Sequence, residues 1–334
     1  MQSKKINIKE IAKRANVSIA TVSRALSGNN NVTKETQSKI LKIAHELNYR
    51  PNLLARSFVK GKTNIIGLIL PDISDEFFSE IIKSVDDTSY QNGYFTMVIS
   101  SHGNRSLVES INTMMSSRIV DGLIVLLSTV NDEIKKTLSS HSIPIVAISG
   151  DTSIGNYDII TIDNYKSSRD VVKYLYKKGY KKIAYINGPD ENGDAILRYK
   201  GFCDECKKLK LTINPVWIVK GDFTLSGGEE AANQLLQNKE RPEVIFAAND
   251  MMAAGCYNSL VKNGYKIPED IGVVGFDDIL ISEYLTPPLT TIKVDTETLG
   301  KYATEKLINR INGSDVTKHQ VVTVNTELVI RKSC

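Results

Sequence analysis

Residues 7–26 read Asn7-Ile8-Lys9-Glu10-Ile11-Ala12-Lys13-Arg14-Ala15-Asn16-Val17-Ser18-Ile19-Ala20-Thr21-Val22-Ser23-Arg24-Ala25-Leu26. Asn7 and Glu10 have the spacing of a capping box, in which two side chains satisfy the first free N–H groups of a helix. Ile8, Ile11, Ala12 and Ala15 then recur at helical spacing and predict one apolar face. Asn16-Val17 is a short turn. Ser18 suits the cap of a second helix to about Leu26, with Val22, Ala25 and Leu26 facing inward. Working outward, Ser27-Gly28-Asn29-Asn30-Asn31 reads as a loop, and Thr33 caps a third helix whose inner face is Ile40, Ile43, Ala44 and Leu47. Two short helices joined by a tight turn and braced by a third form the helix-turn-helix plan.

The charge distribution gives this unit a partner. Residues 1–60 hold twelve Lys/Arg against three Asp/Glu, whereas the remainder holds thirty against thirty-five. A small folded unit this basic meets a polyanion. The second helix is the expected reading element. Ile19 and Ala20 at its start suit thymine methyl groups, and Arg24 can donate two hydrogen bonds to a guanine edge in the major groove. Ser18, Thr21, Ser23 and Asn31 suit the DNA backbone, and Lys4, Lys5 and Lys9 suit phosphates. Residues 51–61, from Pro51-Asn52 to Gly61, form a separate short segment. Leu54 and Phe58 lie four apart with Ala55 between them, on a helix too short to stand alone in water.

Ile8-Lys9-Glu10-Ile11-Ala12, Ala15-Asn16-Val17-Ser18, Thr21-Val22-Ser23-Arg24-Ala25-Leu26 and Leu47-Asn48-Tyr49-Arg50-Pro51-Asn52 together resemble the start of a LacI/GalR-family repressor, and the similarity runs on to Arg331. The resemblance implies that residues 51–61 become a hinge helix on DNA, where Asn52 and Ala55 approach the duplex and Phe58 takes the place of the leucine that wedges into the minor groove. Phe is an accepted wedge chemistry. The resemblance also implies a homodimer on double-stranded operator DNA, controlled by a sugar-like small-molecule effector. A tetramer is not expected, because no apolar heptad helix follows the predicted strand Glu327–Ile330.

Beyond residue 61, short β-rich apolar runs alternate with helical segments: Ile65–Leu70, Phe95–Ile99, Gly122–Leu127, Pro144–Ile148 and Ile159–Ile162, then Ile183–Asn187, Val216–Val219, Val244–Ala248 and Gly272–Phe276. Alternation of this kind predicts parallel sheets covered by helices, here in two sets and so in two lobes. The expected fold class is therefore α/β. A helix-turn-helix headpiece over 1–50 and a hinge helix over 51–61 precede an effector-binding and dimerisation domain over 62–334. That domain is expected to be periplasmic-binding-protein-like on the resemblance. Its N-lobe is expected near 62–162 and 290–318 and its C-lobe near 163–289 and 319–334. Thr290–Val294 and Val321–Ile330 are the expected crossings between lobes.

Open α/β sheets bind ligands beyond the carboxyl ends of their strands. Asp72, Asp75, Phe77 and Phe78 follow the first run, Ser100, Ser101 and His102 the second, and Asp163-Asn164 the fifth. Arg198, Phe223, Asn249-Asp250 and Asp277-Asp278 follow the later ones. Such polar groups with interspersed rings suit a hydroxyl-rich or planar polar ligand. The resemblance selects Arg198 with Asp277 as effector-binding residues, Asn249 beside them, Phe223 as an aromatic floor and Phe77 and Phe78 as a wall. Asp75 and Ser101 complete the expected set. The same residues have ordinary alternatives: Asn249, Asp277 and Asp278 as helix caps, and one of Phe77 and Phe78 in the core.

Other classes are excluded. No nucleophile–base–orienter set and no G-x-G-x-x-G appears, so an enzyme is not expected. Cys203-x-x-Cys206 lacks a second pair, and the histidines at 45, 102, 141 and 319 are scattered, so neither a metal nor a cofactor is expected. No apolar run reaches membrane-spanning length, and no signal peptide follows the basic Met1–Asn7, so a cytoplasmic setting is expected. A periplasmic solute-binding protein would share the body but would need an export signal and no basic headpiece.

Overall fold

The computed structural model describes residues 8–26, 32–47, 49, 62–71, 76–101, 106–140, 143–153 and 155–334. They fall into two compact units, Met1–Thr63 and Asn64–Cys334. The expected hinge over 51–61, with Asn52, Ala55 and Phe58, lies outside the described residues, as do Lys4, Lys5, Asn31, Asp72, Asp75 and His102.

The first unit contains α1 (Ile8–Ala15), α2 (Ile19–Leu26) and α3 (Lys34–Glu46). Ile11, Ala12, Ala15, Val22, Ala25, Ile40 and Ala44 form its core, with Val17, Leu26, Ile43 and Leu47 packed at the edge. Four of those core residues are alanines, which lets short helices approach closely. Asn16 ends α1 in the left-handed region (φ 58°), a conformation that Asn tolerates. Ser18 caps α2, its Oγ accepting from the Thr21 N–H at 3.0 Å. Thr33 caps α3, and Gln37 Nε2 donates to the Ala25 carbonyl at 3.4 Å.

The second unit holds two parallel sheets. β1 (Ile65–Leu70), β2 (Phe95–Ser100), β3 (Gly122–Leu127), β4 (Ile145–Ser149), β5 (Asp158–Ile162) and β11 (Val321–Val324) form the first, in the order β11-β5-β4-β3-β1-β2. β6 (Ile183–Asn187), β7 (Ile218–Lys220), β8 (Val244–Ala247) and β9 (Gly272–Val274) form the second, in the order β7-β6-β8-β9. The two-residue period of a strand sorts the side chains of the first sheet. Ile66, Leu68, Leu70, Ile124 and Leu126 join one core, whereas Ile69, Leu123, Val125 and Leu127 join another on the opposite face. Helices α4 (Glu76–Gln91), α5 (Leu107–Ser116) and α6 (Asp132–Ser139) belong to the first lobe. Helices α7 (Asn164–Lys177), α8 (Gly193–Lys208), α9 (Leu225–Leu236), α10 (Asp250–Lys262) and α11 (Ile281–Tyr284) belong to the second. After β10 (Thr291–Val294), helix α12 (Thr296–Ile311) returns to the first lobe and packs on α4.

Two expectations need correction. Val216–Val219 is not one strand: Pro215–Trp217 is a 3-10 turn, and β7 starts at Ile218. Pro215 lacks an N–H for the ladder, and Asn214 caps the turn by accepting from the Val216 N–H at 3.2 Å. Val321–Ile330 is likewise two strands. β11 lies parallel to β5 in the first lobe, and β12 (Thr326–Val329) lies antiparallel to β10. The chain therefore leaves the first lobe after Val324 rather than near 319.

Asp158 ties the start of β11 to the first lobe. Its buried carboxylate accepts from the Gln320 N–H at 2.9 Å, from Arg310 Nε at 2.8 Å and from Nη2 at 3.0 Å, with Lys306 Nζ at 3.7 Å. Burial alone would raise this carboxyl; Arg310, the Gln320 amide, His319 and Lys306 outweigh burial and hold it below the usual carboxylate range. A depressed folded-state value stabilises fully above the unfolded value, near about 4, and the stabilisation is lost as pH falls through the folded one. Asp158→Asn is therefore expected to cost about 3–5 kcal/mol in denaturant unfolding at pH 7. The gap from wild type should close on acidification below about pH 4. A gap of constant size down to pH 3 would show that charge does not pin this segment.

Candidate functional site

The carboxyl ends of the strands in both lobes open on one cavity of about 610 Å³. Pro71, Phe77 and Phe78 follow β1, Ser128 and Thr129 follow β3, and Ser149 and Thr161 end β4 and β5. From the other lobe come Asp190, Asp194 and Arg198 after β6, Asp222 and Phe223 after β7, Asn249 after β8 and Asp277 after β9. The lobes also touch directly. The Gly193 N–H donates to the Ser128 carbonyl at 2.9 Å, and the Leu280 N–H donates to Glu76 Oε1 at 2.9 Å.

Arg198 is the hub. It is 5% exposed on the second turn of α8, and each guanidinium nitrogen has a protein partner. Nε donates to Asn164 Oδ1 at 2.8 Å, Nη1 to the Ala248 carbonyl at 2.5 Å, and Nη2 pairs with Asp277 Oδ1 at 3.2 Å. The guanidinium carbon lies 3.6 Å above the Phe276 ring. Asn164 Nδ2 donates to Asp194 Oδ1 at 2.6 Å. Hydrogen bonds thus run from the β5–α7 junction through α8, and the Asp277 ion pair carries the chain to the end of β9. A fork fixed in this way presents its remaining N–H groups in one orientation.

The backbone around the hub is strained. Phe223 (φ 70°), Asp277 (φ 114°) and Asp278 (φ 59°) all lie at positive φ, which costs roughly 1–3 kcal/mol per residue. Neighbours hold each in place. Asn249 Nδ2 donates to the Phe223 carbonyl at 2.9 Å, the Asp277 N–H donates to the Ile292 carbonyl at 2.8 Å, and Arg331 Nη1 donates to Asp278 Oδ1 at 2.7 Å. A glycine makes room for the ring: a Cβ on Gly188 would sit 2.3 Å from Phe223 Cζ.

Acidity is shifted here too. Burial raises the Asp194 carboxyl, against the pull of Arg198 and Asn164. Asp250 lies behind the cavity wall. Burial and then the Asp277 charge push its carboxyl well upward, although the Thr291 hydroxyl and Ile279 N–H donate to it at 2.6 and 3.0 Å.

Of the effector-binding residues expected from sequence, Phe77, Phe78, Arg198, Phe223, Asn249 and Asp277 line the cavity. Phe77 and Phe78 are both half-buried and meet edge to face at 5.6 Å; both line the cavity and both pack against the edge of the core. Asn249 both lines the cavity and caps α10, accepting from the Met252 N–H at 2.9 Å. Asp277 and Asp278 cap no helix; α11 starts from Leu280 without a side-chain cap. The Ser101 hydroxyl donates to the Leu70 carbonyl at 3.4 Å, and Ser101 is not among the lining residues of this cavity. Sequence reading passed over Asp190, Asp194, Asp222, Ser149 and Thr161. Among the described residues no group of His, Cys, Asp and Glu is placed to hold a metal ion.

In the first unit, α2 presents Ile19 (45% exposed), Ala20 and Arg24 to solvent. Thr21 and Ser23 are half-buried, and the Ser18 and Thr21 hydroxyls lie 2.9 Å apart. The expected reading face is therefore an exposed surface beginning at a capped helix start.

A helical headpiece followed by a two-lobed ligand cleft defines an effector-controlled DNA-binding regulator. Residues 7–52 match the bacterial regulatory proteins of the lacI family, and residues 172–334 match the periplasmic binding protein-like domain. The chain is 36% identical over 329 residues to the HTH-type transcriptional repressor PurR of Haemophilus influenzae, covering 98% of each protein. It superposes on a lac repressor dimer bound to operator and the anti-inducer ONPF with a TM-score of 0.86, at 28% identity and 99% coverage of both chains. On the transcriptional regulator CelR in complex with cellobiose the TM-score is 0.75, at 25% identity, covering 98% of this chain and 100% of that one. The chain belongs to the lacI family. It is a DNA-binding transcriptional repressor with a ligand-binding domain, and not an enzyme.

Proposed function

We propose that the effector occupies the interlobe cavity and is a sugar or close derivative, and that the protein is a homodimer that binds operator DNA through α2 and the segment 51–61. The observation that carries this reading is the make-up of the cavity. Arg198 and Asp277 line the space, and Phe77, Phe78 and Phe223 line it with rings suited to a ligand's apolar face. A sugar is rich in hydroxyl donors, and this lining is rich in acceptors: Asp190, Asp194, Asp222 and Asp277. The three rings favour a second reading, a planar purine base stacked between them. Thermal-shift screening of the full chain with sugars, nucleosides and purine bases, followed by operator titration with each hit, tests the proposal. If no bound compound changes operator affinity, the effector reading fails.

On DNA, Arg24 is the proposed guanine reader, with Ile19 and Ala20 against thymine methyls and Ser18, Thr21, Ser23 and Asn31 at the backbone. In the hinge, Phe58 is the proposed minor-groove wedge, beside Asn52 and Ala55. Arg24→Ala is expected to lower operator affinity by about 1–3 kcal/mol and to relax preference at one base pair per half-site. Lys9→Ala should instead weaken all sequences alike and flatten the salt dependence. Unchanged sequence preference in Arg24→Ala would assign base reading elsewhere.

A further inference from the structure

We propose that Asp194 sets effector specificity: its carboxyl takes a hydroxyl of an uncharged polyol ring, and it heads a ring of carboxyl groups that turns away the phosphorylated form of the same compound. The proposal rests on the cavity being the effector site.

The first argument is charge. Asp190, Glu191, Asp194, Asp222 and Asp277 line the cavity, against Arg198 and Lys220. Both cations are already matched, Arg198 with Asp277 at 3.2 Å and Lys220 with Asp190 at 2.5 Å. A phosphate dianion would enter a field with a surplus of carboxylates. It could reach the Arg198 fork only through the two N–H groups left over from Asn164, the Ala248 carbonyl and Asp277, on a cation whose charge the adjacent Asp277 carboxylate already balances.

The second argument concerns the helix starts, the other common seat for a phosphate. Three helices of the second lobe, α8, α9 and α10, begin at the cavity, and each of these starts is filled by the protein. At α8, Asn192 Oδ1 accepts from the Ala195 N–H at 3.0 Å, and the Gly193 N–H is spent on Ser128. At α9, Thr224 Oγ1 accepts from the Gly227 N–H at 3.0 Å, and Asp222 Oδ1 accepts from the Thr224 N–H at 2.9 Å. At α10, Asn249 is the cap and Asp250 follows it. Asp194, Asp222 and Asp250 thus place a carboxyl at each positive helix end, where an anionic ligand would otherwise be favoured.

The third argument is the position of Asp194. Asn164 Nδ2 donates to its Oδ1, and among the described residues Oδ2 is the oxygen left for a ligand. A Cβ on Gly150, in the opposite lobe, would come within 2.5 Å of Asp194 Oδ1, so the carboxyl stands at the seam where both lobes can enclose a ligand. The burial that raises this carboxyl adds to its readiness to share a proton with a hydroxyl.

The test is calorimetry on the full chain with matched probes: D-ribose and ribose 5-phosphate, D-glucose and glucose 6-phosphate, D-fructose and fructose 6-phosphate, cellobiose and its 6-phosphate, with hypoxanthine as the purine base. At least one neutral sugar should bind, with its phosphorylated partner about 100-fold weaker or more. Asp194→Asn keeps the shape and removes the charge. It should weaken the neutral ligand about tenfold and shrink the phosphate penalty. Asp194→Ser serves as the second variant if the first does not fold. The proposal is overturned if a phosphorylated member binds as tightly as its parent, if only hypoxanthine binds, if no pair binds, or if folded Asp194 variants bind both members as wild type does. Failure of the underlying site would look different: a sugar would bind, and Arg198→Ala would leave its affinity intact.

Discussion

Arg198→Ala is expected to abolish the response to effector, with effector affinity lowered by about 100-fold or more. The substitution removes the proposed ligand fork. It also strands Asp277 at a strained position, in front of a second buried carboxyl on Asp250. Removing one partner of a buried ion pair costs about 3–5 kcal/mol of stability. The readout must therefore include a folded control, and Arg198→Lys serves: it keeps the charge and loses the planar fork. If the effector is an inducer, Arg198→Ala should bind operator without it and stay bound in its presence. If it is a co-repressor, the same variant should fail to bind operator at any effector concentration. Wild-type affinity for effector in folded Arg198→Ala would move the site away from this hub.

The second expected result is reciprocal. An effector can shift an equilibrium only through different affinities for the two states. Operator DNA must therefore change effector affinity by the same factor by which effector changes operator affinity, typically about 5- to 150-fold. Calorimetry of effector binding, with and without operator, measures it. Phe58→Ala should weaken specific DNA binding and leave effector affinity of the free protein untouched. Equal effector affinity in the two conditions would remove the switch, whichever sign it was expected to have.

Most of the architecture could be read from local pattern because its determinants are local. The runs at Ile65–Leu70 and Gly122–Leu127 are short, β-branched and continuous, and buried parallel strands need that composition. Cap residues Ser18 and Thr33 announce their helices in the same way. The β11–β12 break was hidden because the pairings that define it are remote: β11 lies beside β5, β12 beside β10, and Asp158 reaches Gln320 across 162 positions. Among the cavity residues, Arg198 and Asp277 were found because they follow strands. Asp194 was missed because an acid in the first turn of a helix is commonplace; only the approach of Asn164 and Gly150 distinguishes it. Thr161 was missed because it lies inside β5 rather than beyond it, whereas Ser149 directly follows the expected run Pro144–Ile148 and no candidate was taken from that strand end. Ser101 follows β2, the outermost strand of its sheet, and its hydroxyl is spent on the Leu70 carbonyl.

The left-handed backbone at Phe223, Asp277 and Asp278 bears on how the protein would fare under selection. Each is a position where glycine would relieve roughly 1 kcal/mol or more of strain. At the first two, glycine would also delete a side chain that the signal is proposed to touch. A population evolved only for heat resistance should therefore drift toward glycine at Phe223 and accumulate repressors that no longer hear their effector. It should not do so at Asp277, where glycine would strand the buried Arg198 at a cost of about 3–5 kcal/mol. Selection alternating between growth with and without the effector should preserve the strained residues and seek hardiness elsewhere. Thermal robustness and responsiveness thus compete at Phe223 and coincide at Asp277.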